Sequence, residues 1–366
     1  LLNHIDEFGN PSSIHWAGRI PKMVLREARN AVAKSLNVQP LEIVFTGSAS
    51  ESNNLILKGV VDQLRAQGKA SNTVPKILTS TVEHPSVLYT LEQIKGIEVL
   101  KVPVDRSGTL DMNFYSKALE SKAVHLVSIM TANNETGSVF PIGKLGKMAH
   151  EGGALFHTDA VQALGKMELD LPRWNIDFAS FSAHKFYCLK GVGVAYIKRG
   201  LELPSLIHGG GQERSRRAGT ENVLGIATLG AMCGSLSAEL VNEKSKYMQE
   251  LRNHMESRIE KEIQGIDFHC RTQPRTPNTS HFSVQGINGE SLLMALDLKG
   301  FAVSTGAACS GGSTEPSPVL LAMGFSKEEA QSSLRVSLGW RTTLEEIDRY
   351  VTVLGSTIRH LREVNL

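Results

Sequence analysis

Apolar positions along the chain switch between two periods, and the switches mark a succession of strands and helices. Met23, Val24, Ala28, Val32 and Leu36 recur at helical spacing after the turn-rich FGNPSSIHWAG. EIVFT (Glu42 to Thr46) reads as a strand, and Gly47-Ser48-Ala49-Ser50-Glu51-Ser52 opens a helix carrying Leu55, Ile56, Leu57, Val60 and Val61. KILTS, a helix after Glu83-His84-Pro85, IEVLKV, a helix from Asp111 to Glu120, AVHLVSIM, ALFHT and DFASFS follow, then VGVAYI. Strands alternating with helices in this way predict an α/β fold, a mostly parallel sheet with helices on both faces. From about Asn222 to Ile263 the pattern is helical, interrupted by Gly225, Gly230 and Gly234, and its later half is charged enough for an exposed connector. Beyond it come the strands IDFHC and TSHFSV, the helix GESLLMALDLKG, the strand FAVST, a loop and helix, and the strand SLRVSL. A last helix with Leu344, Ile347, Val351, Leu354, Ile358 and Leu361 on one face closes the chain. This predicts a large domain over 1–242 and a smaller α/β domain over 243–366.

Charge and cysteine usage narrow the chemistry. In 366 residues, 39 Lys and Arg stand against 37 Asp and Glu, and a net charge of +2 provides no field for nucleic acid or an anionic membrane. Small-molecule chemistry is favoured. Cys188, Cys233, Cys270 and Cys309 form no CxxC pair, which argues against a disulfide framework or a structural zinc site and fits a reducing compartment. No apolar run reaches membrane-spanning length, and LLNHIDEFGNPSS lacks the marks of a signal peptide, so a cytoplasmic protein is expected.

In an open parallel sheet, functional residues gather at the carboxyl ends of strands. His84 follows KILTSTVE, Asn133-Asn134-Glu135 follows AVHLVSIMTA, Asp159 follows ALFHT, and Lys185 follows DFASFSAH. Any one of these could be a turn residue, but their repetition at the same end marks a site. A lysine there, beside Phe181, Phe186 and Tyr187, is expected to be poorly hydrated and to lose its proton readily. Such an amine suits Schiff-base chemistry, which in a cofactor enzyme means pyridoxal phosphate. The Gly47 turn into a helix has the geometry of an anion site, although a serine in that position ordinarily serves only as an N-cap. His208, Arg214, Arg216 and Arg217 make HGGGQERSRRAGTEN either an anion-seeking loop or a solvated basic one. In FAVSTGAACSGGSTEPSPVL, Cys309 lies among small residues and Gly306, Gly311 and Gly312, where an accessible thiol can carry reactive sulfur. Cys188, three residues past Lys185, is read as a small residue filling a turn.

FGNPSS, EIVFTGSASESNN, TVEHPSV, NNETG, HTDAVQ, SFSAHK, HGGGQERSRRAGTEN, GAACSGGSTEPSPVL and SLRVSLG occur in that order over nearly the whole chain. In these motifs the sequence resembles the cysteine desulfurases of the class V aminotransferase family, in the branch with a long catalytic-cysteine loop. The resemblance implies fold type I of the pyridoxal-phosphate-dependent transferases, with a seven-stranded, mostly parallel sheet. It implies that Lys185 anchors the cofactor, that Asp159 pairs with the pyridinium nitrogen, that Gln162 bonds the ring hydroxyl and that His84 stacks on the ring. Ala49, Ser50, Ser182 and His184 would hold the phosphate, joined by Thr220 from a second subunit, which implies a homodimer. Asn134 would touch cofactor or substrate, Arg335 would take the substrate carboxylate, and Cys309 would attack the sulfur of L-cysteine. The products would be L-alanine and a persulfide destined for a sulfur-acceptor protein in iron-sulfur assembly or thiolation.

The chain also departs from the family pattern. The usual opening strand is not in it, Cys188-Leu189-Lys190-Gly191 stands where Gly-Pro-Lys-Gly is common, and Ser50 replaces a threonine. Three other readings share the scaffold: a selenocysteine lyase, a plain aminotransferase, which has no use for Cys309, and a noncatalytic assembly surface. The last needs none of Lys185, Asp159, His84, Gln162, Cys309 and Arg335.

Overall fold

The computed structural model describes residues 8–68, 74–306 and 315–364, so Cys309 lies outside the described residues. The strands are β1 (Ile43–Thr46), β2 (Lys76–Ser80), β3 (Glu98–Val102), β4 (Val124–Ser128), β5 (Leu155–Asp159), β6 (Phe178–Ser182), β7 (Gly193–Ile197), β8 (Ile266–Phe268), β9 (Thr279–Val284) and β10 (Ser333–Ser337). The helices are α1 (Arg19–Ser35), α2 (Ala49–Ala66), α3 (Pro85–Gln93), α4 (Met112–Glu120), α5 (Ile142–Glu151), the single turn α6 (Gln212–Ser215), α7 (Val223–Ser235), α8 (Ala238–Glu262), α9 (Gly289–Asp297), α10 (Pro318–Ala322), α11 (Lys327–Gln331) and α12 (Leu344–Val364).

A seven-stranded sheet has the order β1-β7-β6-β5-β4-β2-β3. Alternation along each strand builds two cores, because successive side chains leave a strand on opposite faces. Phe45, Leu78, Val127 and Phe156 join the core that Val32 of α1 and its C-cap Leu36 complete. On the opposite face Val44, Ile77, Leu126 and Phe178 join a second core with Leu55, Ile56 and Val60 of α2. Helices cover both faces, as the near-continuous apolar strands require. A second, antiparallel sheet, β10-β9-β8, carries its own core, with Phe282 and Leu334 packed on Met255 and Ile259 of α8, Leu292 of α9 and Val351 and Leu354 of α12.

Several details differ from the pattern read along the chain. The strand β7 pairs antiparallel with both β6 and β1. The β6 to β7 connection is too short for a crossover helix, so the chain turns straight back. FAVST forms no strand and contributes one bridge, Ser304 to Arg335, while Phe301 and Val303 pack against the small core. The helical stretch breaks at Leu236, not at its glycines. Ser237 caps α8 by accepting from Leu240 N (3.1 Å), and α7 and α8 are bent by 89°. A Cβ on Gly230 would sit 2.5 Å from Ala28, so that glycine permits the close packing of α7 on α1. Met23 and Leu344, taken as core positions, are exposed, and α5 is an additional helix. No single helix among the described residues is long and apolar enough to cross a membrane.

The parallel strands β2, β4, β5 and β6 all end at one edge of the large sheet. A Cβ on Gly193 would lie 2.3 Å from the Ser48 carbonyl carbon, so glycine at the start of β7 lets the N-terminus of α2 approach that same edge.

Candidate active site

At this edge lies a cleft lined by Ser48, Ala49, Ser50, His84, Ser86, Asn134, Asp159, Gln162, Ser182, His184, Lys185 and Arg335, with Met130, Ala132 and Val161 as its apolar wall. All the predicted cavity residues within the described chain are brought together except Thr220, which is exposed outside it.

The deepest part is a hydrogen-bonded relay. Asp159 ends β5 with 6% of its surface exposed, and its Oδ2 accepts from Asn53 Nδ2 (2.8 Å) while Oδ1 accepts from Val161 N (3.1 Å). The same Asn53 amide donates to Ser86 Oγ (2.8 Å), leaving that hydroxyl to donate to His84 Nδ1 (2.8 Å). Ser86 N also donates to His84 Nδ1 (3.1 Å). With Nδ1 an acceptor from both, His84 is the neutral tautomer with its proton on Nε2. Burial pushes its pKa down, and the Lys185 charge adds to the fall against the opposing pull of Asp159. Burial pushes Asp159 up, because its contacts are amides rather than cations. Behind it, Glu83 accepts from Ser80 Oγ (2.6 Å) and Met130 N (3.0 Å) and is pushed up to about 8 by burial.

The mouth is electropositive. Ser48 caps α2 by accepting from Glu51 N (3.2 Å), while the first-turn amides of Ala49 and Ser50 have no intrahelical acceptor and face the cleft with the positive end of the helix dipole. Opposite them, Ser182 Oγ lies 2.9 Å from His184 Nδ1. Lys185 is on the single turn that follows β6, and it is exposed. The expectation of a lysine wrapped in aromatic rings is corrected here. Phe181 and Phe186 are buried in the core, and Tyr187, at φ +61°, turns away so that its hydroxyl accepts from Trp340 N (2.9 Å).

Arg335 comes from the small sheet, and its Nη1 donates to Asn134 O (2.8 Å), so both sheets contribute to one cleft. Asn134 Oδ1 is buried with no protein partner among the described residues. Next to it, Glu135 Oε2 accepts from Ser317 Oγ, and a Cβ on Gly306 would stand 3.1 Å from the same oxygen. Glu135 thus bonds Ser317, and Gly306 passes close beside the same carboxylate. The basic loop has a different use. Arg217 is paired with Glu51 (2.8 Å), Arg216 donates to Leu41 O and Ile43 O, and Arg29 grips Glu213. These contacts stitch the loop to β1 and α2. Cys188 fills its turn as expected, its Sγ 3.2 Å from Phe186 O, and burial pushes its thiol up to about 12.

The family Aminotransferase class-V matches residues 3–350. The chain belongs to the class-V aminotransferase family. Within it the chain is 42% identical over 363 residues to "Cysteine desulfurase IscS" from Dictyoglomus turgidum, covering 98% of this chain and 90% of the relative. A "Cysteine desulfurase IscS" from Methanosarcina thermophila is 40% identical over 364 residues, covering 98% of this chain and 87% of that one. Among solved structures, a NifS-like protein superposes with a TM-score of 0.89 at 35% identity, covering 98% of this chain and 94% of the other. "SspA in complex with cysteine" superposes with a TM-score of 0.77 at 32% identity, covering 91% and 92%. This places the chain in the cysteine desulfurase branch of a pyridoxal-phosphate-dependent family.

The donor set fits that cofactor. A pyridinium N–H suits the buried Asp159, a ring hydroxyl suits the amides of Gln162 and Asn134, and a phosphate suits the α2 end with Ser182 and His184. Sequence reasoning missed Asn53, Ser86, Glu83 and Lys166. Asn53 was detectable as a polar residue on the buried face of an otherwise apolar helix, and Lys166 by its place four residues after Gln162.

Proposed function

We propose that this chain is a pyridoxal-phosphate-dependent cysteine desulfurase that moves sulfur from L-cysteine onto Cys309. The observation that carries the reading is the single cleft in which Lys185, Asp159, His84 and Arg335 meet the N-terminus of α2. The cofactor, when bound, supplies an electron sink for the substrate's α-carbon. Asp159 would hold the ring nitrogen protonated, the positive ring nitrogen being the charged partner that its buried carboxylate otherwise lacks. Neutral His84 offers a flat face for stacking. Ala49, Ser50, Ser182 and His184 bind the phosphate, and Thr220 of a second copy completes that site in a homodimer. Arg335 forks the substrate carboxylate and, through Asn134, ties the small sheet to the substrate. Lys185 would anchor the cofactor, and its amine would take and return a proton at the substrate's α-carbon.

The Cys309 thiolate forms a new bond to the substrate sulfur as the bond from that sulfur to the β-carbon breaks. The carbon takes the electron pair and a proton and leaves as alanine. Cysteine and one protein thiol thus yield alanine and one protein persulfide, sulfur being oxidised as carbon is reduced. A sulfur-acceptor protein in a cytoplasmic, reducing setting then takes the outer sulfur. In this reading the two sheets belong to domains 1–242 and 243–366, which divide within α8.

The test is an absorbance spectrum of purified protein with added pyridoxal phosphate, followed by cysteine, with alanine and sulfide quantified. A visible band that changes with cysteine, both products, and loss of sulfide release in Cys309→Ala with the band intact are expected. A protein that takes up no cofactor would overturn the reading, and turnover retained by Cys309→Ala would remove Cys309 from its role.

A further inference from the structure

Lys166 has no place in the chemistry above, yet it reaches into it. It lies outside the cleft lining, four residues beyond Gln162, and its Nζ stands 2.7 Å from Gln162 Oε1. The turn that carries it is fixed from both sides. Lys166 N donates to Ala163 O (3.0 Å), and its own carbonyl accepts from Ser245 Oγ on α8. An ammonium has donors and no acceptor, so the glutamine atom facing it must be the carbonyl oxygen, and the NH2 is turned the other way. Among the described residues no other hydrogen bond chooses between the two orientations of that amide.

We propose that Lys166 is a positioning residue, holding Gln162 by its carbonyl oxygen so that the amide N–H groups face the cleft as donors to the cofactor's ring oxygen. The inference rests on the functional reading above. A donor at that oxygen favours its anionic form and loosens its hold on the proton of the neighbouring nitrogen that joins the cofactor to Lys185. The proton is then lost at a lower pH than it would be with an acceptor facing the ring. Burial, aided by repulsion from Lys185 and Arg335, brings Lys166 itself down to about 7. In its charged form the amine can only donate, and that form fixes the Gln162 amide by its carbonyl oxygen.

The experiment is a pH titration of the bound cofactor's visible band in the holoprotein, comparing the parent with Lys166→Met, Lys166→Arg, Gln162→Ala and the Met/Ala double variant. Lys166→Met should raise the midpoint by about one pH unit, a tenfold change in proton affinity, and Gln162→Ala should move it the same way. The double variant should move it no further than Gln162→Ala alone, since one residue acts through the other. Lys166→Arg keeps a donor and should keep the parent midpoint. A Lys166→Met midpoint equal to the parent's, or shifts that add in the double variant, would overturn the inference. Should circular dichroism show that Lys166→Met does not fold, a Lys166→Arg midpoint displaced as far as that of Gln162→Ala would overturn it too. A parent that takes up no cofactor overturns the functional reading instead, which separates the two failures.

Discussion

Two aspartates on neighbouring strands show what separates the two edges of the large sheet. Asp159 ends β5 at the carboxyl edge and Asp177 precedes β6 at the amino edge, with 6% and 3% of their surfaces exposed. At the amino edge the carboxylate is met by a cation and two further N–H donors. Asp177 Oδ2 accepts from His150 Nε2 (2.6 Å) and Phe156 N (2.9 Å), and Oδ1 takes Lys198 Nζ (3.3 Å). Asn175 closes the circle by bonding both His150 Nδ1 (2.6 Å) and Lys198 (2.8 Å). At the carboxyl edge Asp159 receives only amides and faces the cleft. The same side chain, equally buried, is locked on one edge and left with a demand on the other. A fold can afford an unneutralised buried acid where a ligand will meet it, and the rest of the sheet must then supply the stability.

Breaking each aspartate should therefore do opposite things. Asp159→Asn removes the group paired with the cofactor nitrogen, and turnover should fall by about 10²–10³-fold, the scale for losing one pre-organised electrostatic partner. Its melting temperature without cofactor should equal or exceed the parent's, because the raised proton affinity of Asp159 marks a charge that burial disfavours. A clear fall in that temperature would contradict the comparison. Asp177→Ala should cost about 2–3 kcal/mol in urea unfolding, since it strands His150, Lys198 and a buried amide, while activity per folded molecule stays at the parent level. Loss of turnover in proportion to Asp159→Asn would show that the amino edge is not merely structural.

Glu83 sharpens the same contrast through pH. Its folded-state pKa, raised from 4.5 to about 8, means that the folded protein keeps a proton the unfolded chain has released between those values. Its stabilising contribution is thus complete below about pH 4.5 and is lost as pH rises toward 8. Glu83→Gln mimics the protonated acid, so its stability should match the parent near pH 4.5 and exceed it by about 3 kcal/mol near pH 7. Thermal melts of both proteins across that range give the difference directly, and parallel curves would show that Glu83 does not carry the proton.

The residues at the cleft were legible because parallel strands force their loops to one edge, and His84, Asn134, Asp159 and Lys185 each followed a recognisable apolar run. Arg335 and Gln162 were not legible from spacing and came from the family resemblance, since nothing local says that β10 will reach the large sheet. Strand direction was equally hidden. The apolar pattern of VGVAYI is the same whether β7 runs parallel or antiparallel, and only the short turn before it decides. FAVST has the composition of a strand, but its apolar side chains are used in packing on the small core. The environment of Lys185 was misread for a related reason: Phe181 and Phe186 are neighbours in sequence, and strand alternation and the following turn carry them into the core.

Position at the carboxyl edge is necessary for chemistry without being sufficient, and Cys188 makes the point in the smallest effect expected here. It lies three residues beyond Lys185, yet its thiol is directed at the backbone oxygens of Phe186 (3.2 Å) and Thr228 (3.8 Å), and burial raises its pKa to about 12. A thiol with so little thiolate at neutral pH is a poor nucleophile. Cys188→Ala should leave sulfide release within about twofold of the parent and cost no more than about 1 kcal/mol, the scale for a small, half-buried side chain. In native protein an alkylating reagent should spare Cys188 while modifying Cys309, as read by mass spectrometry of the peptides. Rapid labelling of Cys188, or loss of turnover in Cys188→Ala, would mean that the turn after Lys185 opens to the cleft, and the edge would then hold two working thiols instead of one.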